Sequence, residues 1–484
     1  MSDSADQDAL PASAGASSQN HRTRPAPLGR ILELALFLRV AAAVAVEWYV
    51  RRQSPDRICI FDDSGYYWLL AGTIRRGTPY EIMYYGDIPH FALRPPGYPV
   101  FLAGCRAALG DHPLSARLVQ AIFGMLTVWL VYRLSLEVSG EQEPSPGRQG
   151  NANRTWSVPL LAAALTALHP YLIVMSALLL SEAVFVPLML LALWGMAVLW
   201  NGRWQMADGK GQMADGKGQM ADGKGQRAKG KGRMADGKGQ MRSRELLIVF
   251  GVGLASGAAI LTRPSWALFV PVMMAVWGWG RLHLPGEIRS RFWTAIRVLV
   301  VMALGLVVVM APWWLHNARI YGRFVPTALW MGASLYDGLN PDATGASNME
   351  FLGAPDVWPL DELDQDRELT RRALAFAWQE PARVLHLALV KLGRYWCPWP
   401  SAAGFRALIV GLASAIVMVP LLASMGLGLW QSRGDVRAWV LLAGPLLYFC
   451  LLHMIFASSM RYRIPAEASA LVLAAMGLAK IAGR

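Results

Sequence analysis

Charge is scarce in this chain. Asp, Glu, Lys and Arg make up 16% of its 484 residues, against about a quarter in an ordinary soluble domain. With 54% hydrophobic residues and a positive mean hydropathy, that shortage excludes a conventional soluble protein. Cysteine is scarce as well, with four residues, no CxxC pair and no His/Cys spacing of a metal site. Cys59 and Cys397 fall in segments read as lying outside the cytoplasm, where a disulfide is open to them, but inert thiols are the simpler reading. Acids are outnumbered 33 to 46, which leaves a net charge of +13. The surplus cations sit in loops between apolar runs, a membrane-orientation pattern rather than a nucleic-acid surface, so no nucleic-acid partner is expected. Residues 1–30 lack an apolar run and read as a disordered cytoplasmic N-terminus. The first apolar run comes too late, and too close to Arg51 and Arg52, for a cleaved signal peptide.

What is present is a series of apolar runs. They predict an all-α polytopic integral membrane protein of about ten transmembrane helices, at 31–50, 118–138, 157–175, 180–200, 246–262, 265–280, 294–314, 405–430, 438–457 and 465–481. Val100–Leu109 is too short to cross and reads as a half-embedded helix. The first span carries Arg39 and Glu47, membrane-depth charges whose partners the sequence does not name. The 201–245 loop holds eleven Lys and Arg residues, which places it in the cytoplasm. Four regions follow: the 1–30 tail, a 31–200 membrane region with an outer loop at 51–117, the 201–245 loop, and a 246–484 membrane region with an outer loop at 315–404. The 201–245 loop repeats a heptad, QMADGKG at 205–211, 212–218 and 219–225, then QRAKGKG and RMADGKG. Two glycines per repeat and no apolar seam make this a solvated low-complexity linker rather than a coiled coil.

The polar, aromatic stretch from Phe61 to Pro99 is the candidate active site. Asp62, Asp63 and Ser64 precede an amphipathic run, Ser64–Arg75, with Tyr66, Leu70 and Ile74 at helical spacing and Tyr67 and Ala71 beside them. The acids can serve as a helix N-cap or as catalysts. Arg94 stands before Pro95-Pro96-Gly97-Tyr98-Pro99 and reads either as an interface anchor or as an anion ligand. Glu182, Arg263 and Arg461 each sit where a predicted span meets the outer face, and the predicted topology gathers them there with Asp62, Asp63 and Arg94. Acids and guanidiniums gathered at one membrane face suit a phosphate-bearing lipid: arginine forks bind phosphate oxygens, and a carboxylate can take a proton from an attacking hydroxyl.

The ordered set DDSGYYWLLA, RPPGYPVFLAG, LLLSEAVF, LTRP, PWWLHNARIYGRFVP and RYRIPAEASALVLAA resembles the GT-C glycosyltransferases, specifically the protein O-mannosyltransferase and lipid A aminoarabinose transferase superfamily. The resemblance covers about residues 31–480 apart from the repeat loop. It implies a GT-C-like fold with extracytoplasmic juxtamembrane helices, and a transferase that takes a sugar from a polyprenyl-phosphate donor outside the cytoplasm. It implies Asp63 as the catalytic acid residue with Asp62 as the fallback, Arg94 near the donor phosphate, and Arg461 in RYRIP as a frequent arginine of less defined role. Leu93 stands where aminoarabinose transferases carry an acid, which puts a metal site in doubt, and His316 stands where many relatives have arginine.

The combined reading is a membrane glycosyltransferase in the cell (inner) membrane. Asp63 is the general base, and Arg94, Arg263, Arg461, Glu182 and Tyr66 form the substrate-binding set. The acceptor is a hydroxyl of a lipid, glycan or protein, and membrane lipids surround the chain. The sequence names no cofactor, and a divalent metal is left open. The 315–404 loop, with Trp330, Tyr336, Asp337, Asn340 and Trp358, is expected to carry acceptor specificity, with loop packing as its plainer use. The alternative is a transporter or flippase of lipid-linked sugars, which should show charges within the membrane and broken helices.

Overall fold

The structure is a computed structural model that describes residues 27–54, 57–83, 88–141, 157–208, 243–282, 288–400 and 407–483. The 1–26 part of the N-terminal tail and the 209–242 part of the heptad repeat lie outside the described residues. Helix α1, Pro27–Gln53, begins inside the stretch read as disordered and carries the first span. Two short helices follow, α2 (Asp62–Arg76) and α3 (Gly97–Leu109), then the long α4 (Pro113–Ser139). Between α2 and α3 a two-residue hairpin pairs Ile82 with His90 and Met83 with Pro89, the one departure from an all-helical chain among the described residues. A broken pair, α5 (Val158–Leu168) and α6 (Pro170–Ala177), leads to α7 (Glu182–Asp208), α8 (Ser243–Thr262), α9 (Phe269–Leu282) and α10 (Ile288–Tyr321). Three helices, α11 (Met331–Gly338), α12 (Glu362–Gln379) and α13 (Pro381–Trp396), occupy the last long connection. The chain ends with α14 (Leu408–Gln431), α15 (Gly444–Ile455) entered through a π-helical turn at Ala438–Ala443, and α16 (Met460–Ile481).

Among the described residues seven helices are long and apolar enough to cross a membrane: α4, α7, α8, α10, α14, the Ala438–Ile455 helix and α16. The α5–α6 pair, bent by 54°, makes an eighth if counted as one span. The other two predicted spans are α1, long enough but crowded with charge, and α9, whose 14 residues reach about 21 Å, short of a hydrocarbon core of about 30 Å.

The structure supplies the partners of the buried charges in α1. Arg39 donates to the carbonyls of Ala35, Thr166 and Ala167 at 3.1–3.2 Å. Pro170 has no N–H to give Thr166, so the α5–α6 break leaves carbonyls that only an outside donor can satisfy. Glu47 pairs with Arg51 and Arg117, and Arg117 also reaches the Ala177 and Ile58 carbonyls. A second buried set lies at the same break. The Leu172 N–H donates to His169 Nδ1, so the proton is on Nε2, which donates to Glu467 at 2.9 Å. Glu467 also takes the Nε of Arg463, whose Nη1 caps the Tyr395 and Cys397 carbonyls.

Close backbone approach builds the rest of the bundle, as expected where lipid removes the hydrophobic drive between helices. A Cβ on Gly253 would run into the Met302 carbonyl, joining α8 to α10, and one on Gly428 would run into the Leu473 carbonyl, joining α14 to α16. Leu134, Phe185, Met189, Ala259, Trp266 and Ala470 lie in the common core. A smaller core of Leu70, Ile82, Leu93, Ala333, Leu352, Val357 and Leu369 fastens the 61–99 stretch to the 331–370 stretch. That second core positions the candidate site.

Candidate active site

Asp63 lies in the first turn of α2, but it does not cap that helix. The N-cap position is Phe61 and no side chain bonds there. The carboxylate faces two guanidiniums instead. Its Oδ1 accepts from Arg94 Nη2 at 3.0 Å, and its Oδ2 lies 3.7 Å from Arg461 Nη1. Arg461 turns its Nε to Glu182 Oε1 at 3.0 Å, and Arg263 Nη1 reaches the same oxygen at 3.1 Å. Five of the residues singled out from sequence therefore form one chain of ion pairs, Arg94–Asp63–Arg461–Glu182–Arg263. They come from the starts of α2, α7 and α16, the end of α8, and the loop before α3.

Exposure grades along this chain. The Asp63 side chain is 39% exposed and Arg461 28%, whereas Arg94, Arg263 and Glu182 fall to 12%, 11% and 2%. Glu182 is thus a sealed counter-charge for two arginines, and Asp63 is the carboxylate a second molecule can reach. The Asp62 side chain lies outside the described residues.

The local sequence explains how Arg94 arrives. A Cβ on Gly97 would stand 2.6 Å from the Leu261 carbonyl, so only glycine lets the start of α3 abut the end of α8, which carries Arg263. The Arg94 carbonyl accepts from the Tyr80 hydroxyl at 2.8 Å, and the guanidinium lies 4.5 Å from the Trp330 ring centroid. Two residues earlier, the backbone N–H groups of Phe91 and Ala92 donate to Glu362 at 2.8 and 3.1 Å, and the Ala92 carbonyl takes the N–H of Leu329 at 3.0 Å. The Tyr321 hydroxyl donates to the same Glu362 carboxylate. Glu362 is 3% exposed, and burial pushes its carboxyl above the usual range.

Tyr66 is half-buried in the smaller core, against residues such as Leu70 and Leu93. Tyr67, one position along, sits in the field of Arg94, Asp63 and Glu182. Burial raises its phenol above the ordinary value, with Arg94 acting the other way. Tyr67 beside the cluster, and Glu362 on the backbone leading to Arg94, are residues that the sequence did not single out as site residues. Of the residues expected to read an acceptor, Asp337 and Asn340 are 3% and 8% exposed and are spent on the loop itself, Asp337 on the N–H of Asn348 and Asn340 on Tyr336 and Asp342. Trp358 remains 43% exposed. Cys59 and Cys397 are not joined in a disulfide. Among the described residues no three His, Cys, Asp or Glu side chains converge where they could hold a metal ion.

No protein-family model and no curated protein sequence matches the chain. Solved structures do. The oligosaccharyltransferase AglB from Archaeoglobus fulgidus, in complex with an inhibitory peptide and a dolichol-phosphate, matches with a TM-score of 0.52 at 15% identity, over 94% of this chain and 50% of that one. An Archaeoglobus fulgidus oligosaccharyltransferase tethered with an acceptor peptide matches with a TM-score of 0.53 at 13% identity, over 94% and 49%. ArnT from Cupriavidus metallidurans bound to undecaprenyl phosphate gives a TM-score of 0.38 at 13% identity, over 93% and 78%. The chain thus spans about half the length of the oligosaccharyltransferase. Its helical bundle shares the fold of the membrane part of these oligosaccharyltransferase structures.

Proposed function

We propose that this chain transfers a sugar from a polyprenyl-phosphate carrier to a hydroxyl of a lipid, glycan or protein acceptor on the extracytoplasmic side of the cell (inner) membrane. The observation that carries the reading is a half-exposed Asp63 carboxylate set between Arg94 and Arg461 at the end of a GT-C bundle. The AglB complex with a dolichol-phosphate supports a lipid-phosphate ligand for such a bundle.

In this reading the Asp63 carboxylate occupies the place on the arginines that the donor phosphate takes up. The acceptor hydroxyl gives its proton to Asp63, and its oxygen forms a bond to the anomeric carbon. The bond from that carbon to the phosphate oxygen breaks, and the lipid phosphate leaves carrying the electron pair. Arg94 and Arg461 stabilise the charge that develops there. Glu182 holds Arg461 and Arg263 in place while the anion changes partners. Tyr67 lies where it can bond to the sugar or the phosphate.

The broken α5–α6 pair and the buried His169, Arg463 and Glu467 are the features a lipid-linked sugar transporter would also show. All three side chains are sealed and bonded to protein partners, which makes them supports for a break rather than steps of a passage. The deciding assay gives purified protein a polyprenyl-phosphate-linked sugar and follows release of the lipid phosphate, alongside mass spectrometry of envelope lipids and glycans with and without the gene. We expect one glycoform to vanish on deletion. Vesicles that move the lipid-linked sugar without cleaving it would sink the transferase reading.

A further inference from the structure

We infer that Glu362 is a positioning residue, a carboxylate latch that holds the 91–92 backbone and thereby sets Arg94 against Asp63. The inference rests on the proposed role of Arg94 toward a donor phosphate. Its structural half stands apart from that role.

The stretch Ile88–Arg94 has little regular structure of its own beyond the two-residue strand Pro89–His90, so its shape must come from outside. Glu362 supplies most of it. One carboxylate accepts the N–H groups of two successive residues, Phe91 and Ala92, and the hydroxyl of Tyr321. The three donors come from two places, the end of α10 and the loop before α3, and the acceptor comes from the first turn of α12. An ionised carboxylate has two oxygens and about four lone-pair sites, so it can serve all three donors at once, and an amide cannot. Arg94 lies two residues beyond Ala92, too near for its backbone to drift while the latch is closed. Leu329, bonded to the Ala92 carbonyl, is followed by Trp330, the ring against the Arg94 guanidinium, so the same clamp sets the arginine's stacking partner. Glu362 acts through the 91–92 backbone it holds, and the distance between the base and the phosphate-binding fork is its to set.

The test uses full-length protein in lipid nanodiscs and two readouts, amide hydrogen exchange over residues 88–94 and affinity for a short-chain polyprenyl phosphate. Glu362→Gln and the milder Tyr321→Phe are compared with Arg94→Ala. We expect Glu362→Gln to speed exchange over 88–94 and to weaken phosphate binding by about ten- to a hundredfold, the loss of one or two hydrogen bonds to a charged group. Tyr321→Phe should move both readouts the same way by less, which keeps the test open if Glu362→Gln folds poorly. Unchanged exchange in both variants overturns the latch. Faster exchange with full phosphate affinity, where Arg94→Ala has lost it, overturns the positioning role. If Arg94→Ala binds phosphate normally, the donor reading falls, and the latch is then judged by exchange alone.

Discussion

Two sets of charges in this bundle look alike on paper and differ in what surrounds them. At one end Asp63 and Glu182 meet Arg94, Arg263 and Arg461. At the α5–α6 break Glu467 meets His169 and Arg463. The inner set is sealed, each side chain 0% exposed, and its arginine and histidine also bond to main-chain groups. In the other set exposure climbs from Glu182 to Asp63, and the most exposed acid has one oxygen in a loose 3.7 Å pair. A set of charges closed on itself holds helices together, and a set with one reachable, loosely paired member can exchange partners. The lesson is that pairing does not mark a site, whereas a gradient of exposure across a paired set does.

The largest test of that contrast is Asp63→Asn. Because Asp63 caps nothing, the change should leave expression and folding unaltered while sugar transfer per folded molecule falls about a hundred- to ten-thousandfold. Near-normal turnover would make the outer set as structural as the inner one. The mirror experiment is Glu467→Ala, which strands Arg463 and His169 at depth. It should cost about 3–5 kcal/mol of stability, read as a lowered midpoint of thermal unfolding, with activity per folded molecule unchanged. Lost turnover in protein of normal stability would show that the inner set takes part in the chemistry. Within the outer set, Arg94→Lys should fail to restore function, since an ammonium cannot reproduce a planar fork stacked on Trp330. A loss of about 2–4 kcal/mol in transition-state stabilisation, measured from kcat/KM, is expected.

The smallest test concerns a third buried cation. Lys391 of α13 is 0% exposed and donates to the carbonyls of Gly338 and Ile455, the last residues of α11 and α15. Burial lowers its ammonium to about 8 from 10.5, with Asp337 opposing. The unfolded chain therefore keeps this proton to higher pH than the folded one, and the penalty of burying the charge is relieved as pH rises from about 8 to 10.5. Wild type should gain thermal stability relative to Lys391→Met across that window. A constant difference would mean that Lys391 stays fully charged.

The apolar runs made most of the bundle legible, because about 20 such residues in lipid have one way to satisfy their backbone. That Asp63, Arg94, Glu182, Arg263 and Arg461 lie together was legible for the same reason, since span ends carry order and direction. What stayed hidden depends on contacts between distant stretches. Pro170 is visible in the sequence, but that Arg39 should satisfy the carbonyls it leaves free is not. Tyr66 and Tyr67 are adjacent and about 100° apart on a helix, and only packing decides what each of them meets. Asp63 reads as a cap until Arg94 is brought to it. Glu362 binds backbone, which leaves no pattern in the sequence around it.

The charges of α1 bear also on how the protein is made. This helix is synthesised before the segments it packs on: Arg39 finds its partners at Thr166 and Ala167, and Glu47 finds Arg117, only after α4 and α5 have left the ribosome. A nascent α1 entering lipid alone would keep only Arg51 beside Glu47 and the Ala35 carbonyl beside Arg39, and the arginine would cost about 2.5–3.5 kcal/mol. Its stable seating therefore waits on later segments, and truncated chains ending before residue 160 should leave α1 open to extraction from the bilayer by alkaline carbonate.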